Sequence, residues 1–333
     1  MARAQGEERG AAEATGGHGD EAGRPITLPR RQRGLQPQRL LITLLGDYWF
    51  GRAEHLPSAA LVDLLGEFGV TPAAARAALS RLARRGVLES SRTGRRTGYG
   101  VSAAAFADPA LRRAAGRILS FAAGPRPWDG LWRMVIFSVP EERREARHAV
   151  RARLRWLGFA PLYDGVWISP HDKAADAARI LTELGIGAHT VLTAQTVPGV
   201  SQGVAPIDAW DLAGLRARYE DFIAAWEPVL RQARDGAVPA EAALRVRTEL
   251  MYAWLAFPGL DPELPAELLP ADWPRGRAHR VFAELYDSLG PPAERRVRRI
   301  VAAHAPELAP LVRHHTHRRP PPTGEGGGRR ETL

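Results

Sequence analysis

Arg76, Ser80 and Arg84 are spaced four residues apart, Arg81 stands beside them, and Arg92, Arg95 and Arg96 follow shortly after. A guanidinium is a planar, permanently charged fork of five donors. It suits bidentate contact with a phosphate or with the O6/N7 edge of a guanine. Seven arginines and one glutamate lie between residues 76 and 99, so the stretch carries about +6. That chemistry is recognition of a polyanion, and nothing in it makes or breaks a bond.

Such side chains read a target only if a rigid element aims them. Thr71 is suited to an N-cap and Pro72 to the first helical position, where its missing N–H costs nothing. Ala75, Leu79 and Leu82 recur at helical spacing and define a core-facing edge. The rest of the helix then presents Ala73, Ala74, Arg76, Ala77, Ser80, Arg81 and Arg84. Gly86 stops the helix, Val87-Leu88-Glu89 starts a strand, residues 92–98 form a turn, and Tyr99-Gly100-Val101 returns. Upstream, Leu40, Leu41, Leu44 and Leu45 form an amphipathic stretch. A second helix begins at Ser58, with Leu61, Leu64, Leu65 and Phe68 on one side and Gly66 and Gly69 bracketing its end.

Helix, helix, helix and basic hairpin in that order is the layout of a winged helix-turn-helix, whose last helix enters a DNA major groove. On this reading the α-helical set faces the groove or its rims. Arg92, Arg95 and Arg96 hold phosphates or enter the minor groove. The competing reading is a small helical domain whose arginines are a solvated face. Only one of the 46 basic residues is a lysine, Lys173, so arginine abundance by itself is compositional. The ordered series of elements carries the DNA reading.

At 333 residues the chain has room for two or three domains. Its net charge of +9 favours a polyanionic partner. The absence of cysteine excludes disulfides, thiolate catalysis and cysteine-ligated zinc. No apolar run approaches the ~18 residues of a membrane span, and the N-terminus lacks the apolar core of a signal peptide. A soluble cytoplasmic protein without a cofactor is expected. Residues 1–34 read as a disordered N-terminal tail and 306–333 as a disordered C-terminal tail. Within the latter, His314, His315 and His317 could suggest a metal, but their spacing favours a solvated tail.

Between the tails, residues 35–102 form the winged helix and 103–127 a linker with a helix from Ala103 to Ala123. Residues 128–206 follow as a βαββαβ unit of ferredoxin-like type. Its first strand is Trp132–Val139, its first helix Glu141–Leu157, and its hairpin turns at Asp164-Gly165. A helix over Ala174–Leu184 and a strand near His189–Thr193 complete it. Residues 207–305 read as all-α. Their stripes are Leu215, Tyr219, Phe222 and Trp226, with Pro228 kinking or ending that helix, then Leu244, Thr248, Met251 and Leu255, then Val281, Phe282, Leu285 and Leu289. The fold class is α+β.

Five segments then carry a resemblance: LLITLLGDYW (40–49), ALSRLARRGVLE (78–89), WDGLWRMVIFSVPE (128–141), RLRWLGFAPLYDGVWISP (153–170) and DPELPAELLPADWP (261–274). In this order, over about residues 36 to 300, the chain resembles the PaaX family of repressors of phenylacetic acid degradation genes. The resemblance implies a homodimer that binds a double-stranded operator and is released by an aromatic acyl-CoA, typically phenylacetyl-CoA. Such a ligand needs cations for its phosphates and an apolar slot for its acyl group. The sequence offers Trp128, Trp132, Arg133 and Trp167 in the central unit, and Trp273, Arg275 and Arg277 further on, although each tryptophan has an ordinary packing role to fill first.

Two other readings compete. The central unit also resembles the small CRISPR-associated nucleases, which place a metal-binding Asp at the end of the first strand. That position here is Ser138, which supplies no carboxylate for Mg²⁺, and neither Asp129 nor Asp164 replaces it. No G-x-S-x-G, Walker-type loop, H-E-x-x-H or dinucleotide fingerprint is present. The last reading is a protein-interaction module built on the helical half. Cutting the chain after about Pro206 separates it from the repressor reading, in which the isolated head keeps weak DNA binding.

Overall fold

The computed structural model describes residues 36–108, 127–197 and 204–317, together with 116, 118, 121, 122 and 124. The expected tail over 1–34, the stretch beyond 317 and most of the expected linker helix lie outside the described residues. α1 (Pro37–Tyr48) opens with proline in its first turn and buries Leu40, Leu41, Leu44, Leu45 and Tyr48, the period of a single core-facing stripe. The short β1 (Leu56–Pro57) leads into α2 (Ser58–Gly66), which buries Leu61, Leu64 and Leu65. α3 (Pro72–Arg84) starts where Thr71 Oγ1 accepts the Ala74 N–H at 3.3 Å, satisfying one of the orphan donors at the helix start. Gly86, at φ +71, ends it.

β2 (Leu88–Thr93) and β3 (Arg96–Val101) pair antiparallel, and the sheet order is β1-β3-β2. The hairpin is tighter than the expected turn over 92–98. Pairing continues through Arg92↔Thr97 and Thr93↔Arg96, because Gly94 takes φ +61 and supplies the left-handed corner of a two-residue loop. α4 (Ala103–Ala107) follows, capped by Ser102.

The central unit runs β4 (Trp132–Phe137), a 3₁₀ turn (Glu141–Arg143), α5 (Arg144–Trp156), β5 (Ala160–Tyr163), β6 (Val166–Ser169), α6 (Ala174–Glu183) and β7 (His189–Ala194). The strand order is β5-β6-β4-β7, with every neighbouring pair antiparallel. Val135, Phe137 and Trp167 of the sheet meet Val150, Leu154, Ala177 and Leu181 of the two helices in a small core of their own.

The C-terminal region is helical: α7 (Leu212–Arg234), α8 (Ala243–Trp254), α9 (Arg275–Ser288) and α10 (Gly290–Ala302). Pro228 does not end α7, which continues to Arg234; buried Val229 and Leu230 hold the following turn in place.

Two features differ from the expectation of three successive units with loose ends. One continuous apolar cluster joins Leu40, Leu44, Leu65, Leu79 and Leu82 of the head to Leu244, Leu250, Phe282, Val297, Val301 and Val312 of the helical region. The head is therefore part of a larger body, and burial of its helices depends on the chain's second half. Residues 306–317 also belong to that body, which corrects the tail assignment for this stretch. Val312 is fully buried, the Arg313 N–H donates to the Tyr48 carbonyl at 3.3 Å, and Arg298 donates to the Val312 carbonyl at 3.1 Å. A His- and Arg-rich composition concealed one apolar anchor and a backbone that bonds to the body.

Candidate nucleic-acid interface

Along α3 the buried residues are Ala75, Ala78, Leu79 and Leu82, whereas Ala73, Arg76, Ala77, Ser80, Arg81 and Arg84 are exposed and Ala74 is half-buried. The small side chains between the arginines leave the helix backbone open to close approach. Arg92, Arg95 and Arg96 are exposed on the hairpin. The carboxylate nearest its base, Glu89, lies 3.3 Å from His55 Nε2, and the other nitrogen of that ring lies 2.8 Å from Ser91 Oγ. Gly100 makes room for the ring, since a Cβ there would stand 2.5 Å from it.

Arg76, Arg81, Arg84, Arg92 and Arg95 have no carboxylate partner among the described residues. Arg96 differs, because its Nη1 donates to the His304 carbonyl at 3.4 Å. Elsewhere many arginines are neutralised in pairs: Arg133 with Asp129, Arg147 with Glu141, Arg179 with Glu183, Arg234 with Glu284 and Arg277 with Glu227. A cluster of unpaired guanidiniums on one exposed helix and hairpin can bind a run of phosphates without first breaking an internal pair.

The first helix of the head is fastened to the helical region by a buried polar knot that the sequence reading missed. Asp47, at the end of α1, accepts the Tyr286 hydroxyl at 2.8 Å and faces Arg247 Nη1 at 3.5 Å. The Arg247 side chain is fully buried and donates to the carbonyls of Tyr286 and His315 at 3.1 and 2.6 Å. Its guanidinium lies 3.6 Å from the centroid of the Tyr286 ring and 5.1 Å from that of Tyr48. Burial raises the Asp47 carboxyl above its ordinary range, against the pull of Arg247 and the Tyr286 hydroxyl. Burial also pushes the Tyr48 hydroxyl up to about 12. For Arg247 burial opposes the charge, yet Tyr48, Tyr286 and Asp47 together hold it above the ordinary arginine value. The one signal in the sequence was Asp47 itself, a carboxylate inside an otherwise apolar LLITLLGDYW.

The residues considered for an acyl-CoA do not converge. Trp128 and Trp132 are neighbours at 5.4 Å between centroids, and Trp132 stacks on Trp210 at 6.1 Å. Arg133 is buried and engaged by Asp129 at 2.6 Å and Asp172 at 3.4 Å. Trp167 sits in the central core against Phe137, with Arg155 over its ring. Trp273 lies in the helical region under Arg216, Arg275 is drawn to buried Asp261 at 3.4 Å, and Arg277 pairs with Glu227. Trp210, which packs directly on Trp132, was not singled out from the sequence.

Ser138 directly follows β4 and is exposed; Asp129 is tied to Arg133, and Asp164 lies 3.4 Å from Arg151. His314, His315 and His317 have three different neighbours: Glu294, the Phe50 ring and His279.

Comparison with known proteins follows the same order along the chain. Residues 36–105 match the family model described as PaaX-like protein, 125–204 the PaaX protein central Cas2-like domain, and 210–299 the PaaX-like protein C-terminal domain. The chain is 30% identical over 264 residues to the transcriptional repressor PaaX of Escherichia coli, covering 76% of this chain and 80% of that protein. A solved structure of an uncharacterized Mycobacterium tuberculosis protein aligns with a TM-score of 0.52 at 23% identity, over 79% of this chain and 99% of that one; it bears on the fold alone.

Proposed function

The chain belongs to the PaaX family, and from that premise we propose that it is a DNA-binding transcriptional repressor rather than an enzyme. The head acts as a winged helix-turn-helix: α3 enters the major groove with Arg76, Ser80, Arg81 and Arg84, and the β2–β3 hairpin is the wing. The central unit, with β5-β6-β4-β7 order and two crossover helices, is read as a ferredoxin-like domain. As a cytoplasmic homodimer the protein binds a pseudo-palindromic operator, its half-sites separated by whole turns of about 34–36 Å. By analogy with the E. coli relative's family, the genes controlled are those of phenylacetate or related aromatic acid breakdown. The releasing effector is an aryl-CoA, with phenylacetyl-CoA as the default.

One observation carries this reading: the exposed arginines of α3 and the hairpin tip that no carboxylate among the described residues neutralises. A guanine contact by Arg76 is worth about 1–3 kcal/mol of discrimination. Arg76→Ala therefore weakens a cognate promoter fragment selectively. Arg95→Ala weakens every duplex alike and lowers the salt slope by about 1. Gel shifts in which neither substitution changes affinity would sink the reading.

A further inference from the structure

α10 crosses the outer side of α2 and ends beside both working edges of the head. Its Arg296 grips Glu67 through two bonds, at 2.8 and 3.1 Å. Just past its end, His304 Nε2 lies 2.7 Å from Asp63 Oδ2, and the His304 carbonyl accepts from Arg96 of the hairpin. Between α10 and the head runs a cleft of about 450 Å³. Val62, Val70, Ile300 and Pro72, the first residue of α3, line it together with Arg299. One helix of the body thus meets the start of the reading helix and the hairpin at once.

The charges on that helix fall into two classes. α10 carries Arg295, Arg296, Arg298 and Arg299 against a single carboxylate, Glu294. Arg296 is consumed by Glu67 and Arg298 by Glu294. Asp63 and Glu67, the acidic residues of the cleft wall, face His304 and Arg296. Arg295 and Arg299 remain exposed with no carboxylate partner among the described residues. Four residues apart, they stand one turn, about 6 Å, along the same side of the helix. The cleft is open to solvent, whereas a small-molecule site buries about 70–90% of its ligand. An open cationic edge beside a helix N-terminus fits an extended anionic ridge.

We propose that Arg295 and Arg299 hold the phosphate backbone of the same duplex that α3 reads, so that the interface extends from the head onto the helical body. The inference rests on the DNA-binding reading above. It makes the body a direct contributor to affinity, and it assigns these two arginines a positioning role with no part in choosing bases.

The test uses the full chain with both arginines changed to glutamine, titrated by fluorescence anisotropy against a promoter duplex and a scrambled duplex of equal length. Both duplexes should weaken by the same factor, and the slope of log K against log salt should become shallower by about 2, one unit per lost phosphate contact. Arg295→Lys/Arg299→Lys should keep the original slope, and a melting curve equal to that of the parent chain excludes misfolding. An unchanged slope and affinity in the glutamine variant, with Arg76→Ala still impaired, overturns the inference and leaves the DNA reading intact. If Arg76→Ala is also without effect, or the parent chain binds neither duplex, both fall.

Discussion

The head and the helical body are joined by a continuous apolar core and a buried polar knot, while the central unit keeps a small core to itself. Across the first junction run Tyr286–Asp47, Arg247–Asp47, Arg296–Glu67, His304–Asp63 and the Arg313–Tyr48 backbone bond. The described contacts of the central unit with the rest are sparser: the Trp132–Trp210 stack, the 206–209 turn against β5, and His171 Nε2 at 2.7 Å from the Pro262 carbonyl. Interfaces this different have different compliance, because a packed core resists partial displacement. The head and the body are thus expected to move as one piece, and any rearrangement to fall at the edges of the central unit. Ala122 and Glu263 lie at that border with φ of +58 and +56. They are joined by a 3.0 Å bond from the Ala122 N–H to Glu263 Oε1. Left-handed backbone at a non-glycine costs about 1–3 kcal/mol and persists only where its surroundings enforce it.

The hardest blow to this contrast is Arg247→Met. It removes the cation facing Asp47 and leaves that carboxyl buried against the Tyr286 hydroxyl, at a cost of about 3–5 kcal/mol. Head and body should then melt together at a lower temperature in one calorimetric transition, and Asp47→Asn on the same chain should recover part of the loss. Two separate transitions would mean that the shared core is not cooperative. Leu154→Ala, in the middle of the central core, should cost about 2–5 kcal/mol. Hydrogen exchange should accelerate across residues 132–194, with head and body protection unchanged; equal loss everywhere would erase the distinction. The smallest effect concerns the segment that ties residues 312–317 to the body. Burial, with His317 and Arg280 nearby, lowers the His279 pKa from 6.5 to about 4. The unfolded chain therefore binds the extra proton first as pH falls, and the stability present above pH 6.5 is lost towards pH 4. The melting temperature of the parent chain should drop further over that window than that of His279→Gln, and coincident curves would assign the tie elsewhere.

Local signals suffice where short-range chemistry decides. Thr71-Pro72 and Gly86 set the ends of α3, Asp164-Gly165 makes the β5–β6 turn, and the periodicity of α1 and α2 marks their buried faces. What escaped the sequence was long-range. An apolar face on α1 looks the same whether it packs on its own head or on α8, so the fusion of head and body left no mark in periodicity. The turn expected over 92–98 is shorter in the structure: Gly94 and Gly98 both look like turn residues, yet only Gly94 takes a positive φ and pairing runs on to Thr93↔Arg96. Residue type alone groups the tryptophans, while packing distributes them: Trp132 with Trp210, Trp167 in the central core and Trp273 under Arg216. Arg247 is one arginine among many, and only its burial distinguishes it.

Val312 is fully buried in the shared core, and the neighbouring Arg313 N–H donates to the Tyr48 carbonyl at the end of the first helix. The surroundings of the first helix are therefore completed by residues more than two hundred positions along the chain. Bringing positions so far apart in sequence together carries the loop-closure cost of a long-range contact, which the packing between them must offset as the chain folds.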